Sequence, residues 1–480
     1  MIAELCGLIA AFASCFSRGR AFNWFALCLF GMLVRLDHHG VTAFVRWLKL
    51  DPKWYNALLH FFQSSSWNLS VLMGCWQRFI PGQLPLFQFN GTALMVLDGI
   101  KLTKEGLKMP GNKKLHQSSE NAGKAPYAFG HHFGILGFLV GNLKHHFCIP
   151  VKAEVQEGVQ EIHRFGDKKA PRVKGKEKFS VITLGLRQAQ EAALNLGRPC
   201  MLILDAYYAV GNTFIMAGEC LNEQGQRLLH VLTRAKKNIV AYEPAAPRSG
   251  GKGRPPVYGK KVRLASLFAQ KEQEFILTEL RLYGKKTKVS YYCLDLIWKP
   301  LKDKARFVLV KMNGEEFILL CSHLDWAPQD IIQAYSFRFK IEVSFKELKH
   351  LLGTFCYHFW SKKMPRLSKK NDVDLSRITD PKVQKKVVQK LEAIERFVSL
   401  GCIALGLLQI LAFKHPRLVW KKYGGWLRTV RWDIPSVEVV LSVIRDEYFF
   451  NFGAFGKTEL YRIIAGKQRK EQYLYAKNVA

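Results

Sequence analysis

The 480-residue chain predicts a mixed α/β core, interrupted by an inserted run of β-strands and flanked by helical segments at both ends. Three observations carry this. Apolar runs of strand length at residues 92–97 and 200–204 each end in an aspartate, and a helix-period stretch at 181–196 lies between them. Four more strand-like runs follow from residue 275, two of them joined by Asn313-Gly314, a strong hairpin signal. The segments before about residue 85 and after about residue 360 carry helical period almost throughout.

Composition narrows the class. A hydrophobic share of 49% marks a folded chain. The 72 Lys and Arg against 38 Asp and Glu leave +34, more than solubility requires, so a polyanion is the expected partner and nucleic acid the foremost one. That charge is spread along the chain rather than gathered in one amphipathic helix, which argues against a membrane surface. The 11 cysteines are odd in number and form no C-x-x-C pair, as expected of reduced thiols in a cytosolic protein rather than a disulfide scaffold or zinc ribbon. Glu4 and the lack of a basic leader argue against a signal peptide. The apolar runs at 3–16 and 21–34 fall short of the roughly 20 residues that span a bilayer, and read as core helices.

In order, residues 1–85 form a helical N-terminal domain. Within it, residues 40–62 read as two short helices broken at Leu50-Asp51-Pro52, with Asp51 as cap and Pro52 as start. Arg46, Lys49 and Lys53 near that break suit a DNA-binding helical hairpin. Residues 86–233 begin the core: strands at 92–97, 127–141 and 145–155, a lysine-rich loop between the first two, a helix at 181–196, and strands at 200–204 and 226–231. Residues 234–325 hold a cationic arm and the β insertion. From Arg234 to Arg263 there are nine Lys or Arg against Glu243 alone, and no Gly-Lys-Ser/Thr that would make a phosphate loop. Lys252 and Arg254 in this arm are candidate DNA contacts. Strands are expected at 275–283, 286–297, 305–312 and 315–322. Residues 326–360 carry one long helix, and 361–480 a helical C-terminal domain whose core is the apolar stretch 397–413.

The helix at 331–352 is chemically odd. At about 100° per residue, Tyr335, Arg338, Glu342 and Lys349 fall within a sector roughly 60° wide, beside the apolar Phe337, Ile341, Phe345, Leu348 and Leu352. Glu347 points elsewhere. Asp98 and Asp205, each ending an apolar run, sit where a sheet holds a carboxylate firmly yet leaves it open. Were the helix to pack beside them, Asp98, Asp205 and Glu342 would grip two Mg²⁺ about 3.5 to 4 Å apart, the arrangement that activates a nucleophile and stabilises the leaving oxygen of a phosphodiester. His131 and His132 on the second core strand read as structural histidines or phosphate contacts rather than metal ligands.

The spacing Tyr335-x2-Arg338-x3-Glu342-x6-Lys349 resembles the YREK signature of DDE transposases of bacterial insertion sequences, the insertion-sequence-four family. Met95-Val96-Leu97-Asp98 and Leu202-Ile203-Leu204-Asp205 look like that family's first two catalytic aspartates. Gly99 follows Asp98, where a hydroxyl residue often stands. The resemblance covers roughly residues 90–355 and implies a ribonuclease H-like core with a β insertion. It implies catalysis by Asp98, Asp205 and Glu342 on two Mg²⁺, with Mn²⁺ as a substitute. Water would nick the DNA and a 3′-OH would transfer the strand. Tyr335, Arg338 and Lys349 would grip phosphates, and Trp298 would stack an extruded base. The implied partners are double-stranded DNA, as terminal inverted repeats and target, and a second copy in a synaptic homodimer. The implied setting is the bacterial cytoplasm at the nucleoid. A non-catalytic DNA-binding descendant and a nuclease without strand transfer share the same sequence features.

Overall fold

A computed structural model describes residues 1–117, 123, 125–166, 180–245, 256–430 and 433–469. The expected Lys252 and Arg254 contacts lie outside the described residues. Among the described residues thirteen strands share one sheet: β1 Gln88–Phe89, β2 Thr92–Thr103, β3 Lys113–His116, β4 Tyr127–Gly141, β5 His146–Val155, β6 Cys200–Leu204, β7 Leu229–Arg234, β8 Val240–Tyr242, β9 Lys261–Arg263, β10 Ile276–Leu282, β11 Lys285–Trp298, β12 Asp303–Met312 and β13 Glu315–Cys321. Its main path runs β3-β4-β2-β6-β7-β13-β12-β11-β8-β9, with β5 on β4, β1 on β2 and β10 on β11.

The centre of the sheet is parallel. β2 pairs with β6 and β6 with β7, and the helices Val181–Leu196 and Gly211–Gly218 lie in the connections that lead into β6 and β7. All five residues of β6 are buried, as expected of a strand covered on both faces. Ser180 caps Val181–Leu196 by accepting from the Thr183 amide, and Gly197 ends it in the left-handed region. Hydrophobic period marks that helix in the sequence. Gly211–Gly218 is too short to leave such a mark, and nothing in the sequence reading anticipated it.

The inserted strands extend the core sheet instead of forming a sheet of their own. β13 pairs antiparallel with β7 through Leu320 and Thr233, so the hairpins β10–β11 and β12–β13 continue the same surface. Burial drives this, because Phe307, Val308, Leu309, Val310, Leu319 and Leu320 are fully buried only if the strands stack onto an existing edge.

The helical ends also merge. Pro381–Lys414 is long and apolar enough to cross a membrane, but 89% of its apolar window is buried in the protein. A helix apolar on all sides needs cover on all sides, and the N-terminal helices supply part of it: Phe62 and Phe44 pack on Phe397, and Arg396 Nη1 donates to the Phe62 carbonyl at 3.1 Å. The hairpin at 40–62 forms as expected, with Val41–Trp47 and Tyr55–Gln63 separated by a 3₁₀ turn at Pro52–Trp54 that Asp51 caps. Arg46 pairs with Asp37, and Lys53 with Asp51 at 2.8 Å. All eleven cysteines are free thiols.

Candidate active site

Register brings the two aspartates together. The last paired residues of β2 and β6 are Val96 and Ile203, and two residues further along these parallel strands stand Asp98 and Asp205. Neighbouring parallel strands lie about 4.8 Å apart, so both carboxylates leave the same face at the same level. The sequence expectation that both end their strands holds for Asp205 only. β2 continues to Thr103 because β4 pairs with it throughout, Asp98 opposite Ile135.

Each aspartate is fixed. Asp98 Oδ1 accepts from the Gly99 amide at 2.7 Å, and Asp205 Oδ1 caps the turn Ala206–Tyr208 by accepting from the Tyr207 amide at 3.0 Å. Thr233 Oγ1 on β7 donates to the Asp205 carbonyl at 2.6 Å, clamping the chain at the strand end. Burial pushes the Asp98 carboxyl up to about 6. The Arg338 guanidinium opposes that rise, while Asp205 and Glu342 add to it. Burial likewise raises Asp205. Two buried carboxylates at one level repel, and a hard divalent cation relieves that repulsion with the oxygen donors it prefers. The donor set fits such an ion.

The third acid arrives on a composite helix. Pro328–Ser336 is α-helical, Phe337–Phe339 is a 3₁₀ turn, Lys340–Lys346 is α-helical and Glu347–Leu351 is a π turn. Its apolar face packs as expected: Phe337, Ile341, Phe345, Leu348 and Leu352 are buried. Phe337 rests on Phe87 and on His146, each at 4.8 Å between ring centres, and Ser344 Oγ donates to the Cys148 carbonyl at 2.7 Å. A Cβ on Gly137 would come within 3.1 Å of Ile341, so this close seating uses a glycine of β4.

Arg338 lies between the acids. Its Nη1 donates to Asp98 Oδ2 at 2.8 Å and its Nη2 to Glu342 Oε1 at 2.7 Å. Glu342 remains half-exposed, and Tyr335 is partly buried beside Arg338, Arg234 and Asp205. Among the described residues no three His, Cys, Asp or Glu stand close enough to hold one metal ion together. Arg338 accounts for this at the site, because its guanidinium fills the space between Asp98 and Glu342. Lys349 is exposed on the π turn, with no hydrogen bond or ion pair among the described residues. The sequence expectation assumed an even 100° per residue, whereas the 3₁₀ turn overwinds and the π turn underwinds that rotation, two departures that largely offset.

Two other expectations change. Trp298 is 4% exposed and packs edge-on against Phe214, so its ring is core rather than a free stacking surface. The reason is its place at the end of β11, paired to β12 and covered by the unanticipated helix Gly211–Gly218. Lys104, in the lysine-rich loop, is half-buried, with Nζ donating to the Phe355 carbonyl and lying 3.8 Å from the Tyr357 ring centre. Burial lowers it to about 8. Conversely, the cleft of about 520 Å³ beside the aspartates is lined by Lys101 of the lysine-rich segment and by two residues with no sequence signal, Glu157 and Tyr207. Glu157 stands just past the end of β5, the position type that singled out Asp205.

Glu347, which the sequence turned away from the stripe, lies partly buried against Pro381–Lys414. Burial pushes it up to about 7, opposed by Gln409, Lys340 and Lys346. The folded protein thus binds this proton more tightly than the unfolded chain. The stability it contributes is fully present below the ordinary value of 4.5 and is lost as pH rises through about 7. Glu347→Gln should raise the melting temperature at pH 8 by the equivalent of about 3 kcal/mol and leave it unchanged at pH 4. A variant equally stabilised at both pH values would contradict the titration argument.

A family model described as DDE superfamily endonuclease matches residues 11–280, which include Asp98 and Asp205 and end before Tyr335, Arg338, Glu342 and Lys349. No curated protein matches the chain. The match covers more than half of the sequence, and the mixed sheet with helical flanks is consistent with the ribonuclease H-like fold of such enzymes. The chain therefore belongs to the DDE superfamily endonuclease family and carries a nuclease-type enzyme domain.

Proposed function

We propose that this protein is a DNA transposase of the insertion-sequence-four type, cutting at the ends of its own element and joining the freed 3′ ends to a target. The observation that carries this reading is the bridge of Arg338 from Asp98 to Glu342, beside Asp205. It sets the third acid and the arginine of the Tyr-Arg-Glu-Lys spacing against the two strand-borne aspartates. Enzymes of this superfamily generally use divalent metal ions, and Mg²⁺ or Mn²⁺ held by Asp98, Asp205 and Glu342 would activate the attacking oxygen and offset charge on the leaving one. Arg338 turns from the carboxylates to a DNA phosphate, freeing Glu342 to join the aspartates. Its planar fork suits two phosphate oxygens at once. Tyr335 holds the same phosphate backbone, and Lys349, free on the outer turn, contacts it further along. Two copies pair two inverted repeats.

The test is a product assay with Mg²⁺ on duplexes that end in the inverted repeats flanking the coding sequence. Covalent joining of those ends to a target is expected. Cleavage without joining would make the protein a nuclease, and neither would make it a DNA-binding descendant. Binding should also weaken steeply with salt. A log-log slope of about −4 or steeper corresponds to roughly five neutralised phosphates, and a flat response would sink the inference drawn from the +34 charge.

A further inference from the structure

We propose that Arg234, with Tyr283 at the tip of the β10–β11 hairpin, is a second phosphate clamp of the site, holding the DNA phosphate next to the one cut at Asp98 and Asp205. This rests on reading the site as DNA-cleaving.

Register sets the place. Leu204 of β6 and Thr233 of β7 are the last pair of those parallel strands, so Asp205 and Arg234 follow side by side, on the sheet face that carries Asp98. β7 pairs in turn with β13 through Arg234 and Leu319, and Phe317, two residues along on the same face, has its ring centre 5.1 Å from the guanidinium. The composite helix covers this face, and its Tyr335 stands within electrostatic reach of Arg338, Arg234 and Asp205. Neighbouring strands lie about 4.8 Å apart. Arg234 therefore flanks Asp205 on the side away from Asp98, beside the reacting phosphate rather than on it.

The guanidinium has no protein acceptor. Among the described residues it makes no hydrogen bond and no ion pair, only the contact with Phe317. Arg338 and Arg306, also half-buried, each bond a carboxylate at 2.8 Å. Glu315 and Glu316 line the same cleft of about 700 Å³ as Arg234 and Lys237, but Glu316 stands 3.7 Å from Lys311 and neither acid pairs with Arg234. A fork of five donors that stays charged at any working pH is left for an anion.

The hairpin converges on the same place. Leu282 and Lys285 pair across a two-residue turn in which Tyr283 has φ 52° and Gly284 φ 80°. Asn or Gly is usual at the first of these positions, and a tyrosine held there is the kind of strain that clusters at functional sites. It sets the exposed ring 5.4 Å from that of Phe339, the residue after Arg338, with its hydroxyl within electrostatic reach of Arg338, Arg234 and Glu342.

The test titrates the full chain with a duplex of roughly 30 bp across a range of salt, and follows Mg²⁺-dependent plasmid nicking and melting temperature. Arg234→Ala should bind roughly tenfold more weakly, as a lost hydrogen bond to a charged group predicts, with a log-log salt slope shallower by about 0.9. Nicking at saturating protein should slow about tenfold as the strand loses its placement. The melting temperature should hold, since no protein partner is lost. Arg234→Lys should recover the slope but only part of the affinity, because a point charge replaces the fork. Tyr283→Phe should weaken binding roughly threefold in wild type and no further in Arg234→Ala, the coupling expected of two groups on one phosphate. An Arg234→Ala protein that binds within about twofold of wild type, with the same slope, would overturn the assignment. So would weaker binding with a lowered melting temperature and an unchanged slope, which marks a structural role. Losses that simply multiply in the double variant would overturn the shared clamp. Wild type that nicks no more than Asp205→Asn, yet binds in an Arg234-dependent way, would overturn the cleavage reading and not the phosphate contact.

Discussion

Asp98→Asn, Asp205→Asn and Glu342→Ala should each slow DNA cleavage by about a thousandfold or more, on the order of 4 kcal/mol of transition-state stabilisation. The fold should survive, because none of the three is a core packing residue. Stability even points the other way for the first variant. Burial raises Asp98 to about 6, so the unfolded chain ionises it more readily than the folded one. The resulting stability is present below the ordinary 3.8 and is lost as pH rises through about 6. In metal-free buffer at pH 8, Asp98→Asn should therefore melt higher than wild type while failing to cut, the trade expected where a site holds charge for chemistry rather than for stability. A variant that melts lower and still cuts would refute both halves. Glu342 is half-exposed and, among the described residues, paired only by Arg338, so Glu342→Ala should leave the melting temperature nearly unchanged.

Arg338→Ala should separate metal binding from catalysis. In this structure the guanidinium is the counter-charge of Asp98 and Glu342, with its own side chain 23% exposed and that of Asp98 18% exposed. Removing it strands a largely buried carboxylate beside Asp205, which should cost about 2–3 kcal/mol in metal-free buffer. Mg²⁺ or Mn²⁺ should restore most of that loss, since a cation replaces a cation. The apparent metal affinity should rise for the same reason, while cleavage falls by roughly a hundredfold with the loss of the phosphate clamp. Calorimetric titration of wild type and variant with Mn²⁺ measures the first effect, and the plasmid assay the second. Weaker metal binding in Arg338→Ala would mean that the arginine organises the carboxylates rather than competing for them.

The sequence alone determined what depends on local pattern. Apolar runs placed β4, β5, β6 and the strands β10 to β13 within a few residues, and helical period placed Val181–Leu196 to the residue. The spacing of Tyr335, Arg338, Glu342 and Lys349 singled out the helix, and its apolar face is buried as the 3.6 period requires. Asp98 and Asp205 stand directly after apolar runs, and it is the resemblance of those runs to a known family that singled them out.

Only the tertiary structure decided what depends on partners distant in the chain. Parallel register sets Asp98 level with Asp205 across 107 residues, and no local pattern encodes register between strands so far apart. The change from α to 3₁₀ to π winding along 328–351 left no mark in the sequence pattern. Trp298 looked available in the sequence and is buried, and Lys104 is half-buried, since burial is a property of the neighbours. His132, one of two adjacent histidines, packs against Gly99 through the pairing of β2 with β4 and the missing side chain of Gly99. Arg338, which the sequence suggests as a phosphate contact, bonds Asp98 and Glu342 in this structure, a pairing that only the tertiary structure reveals.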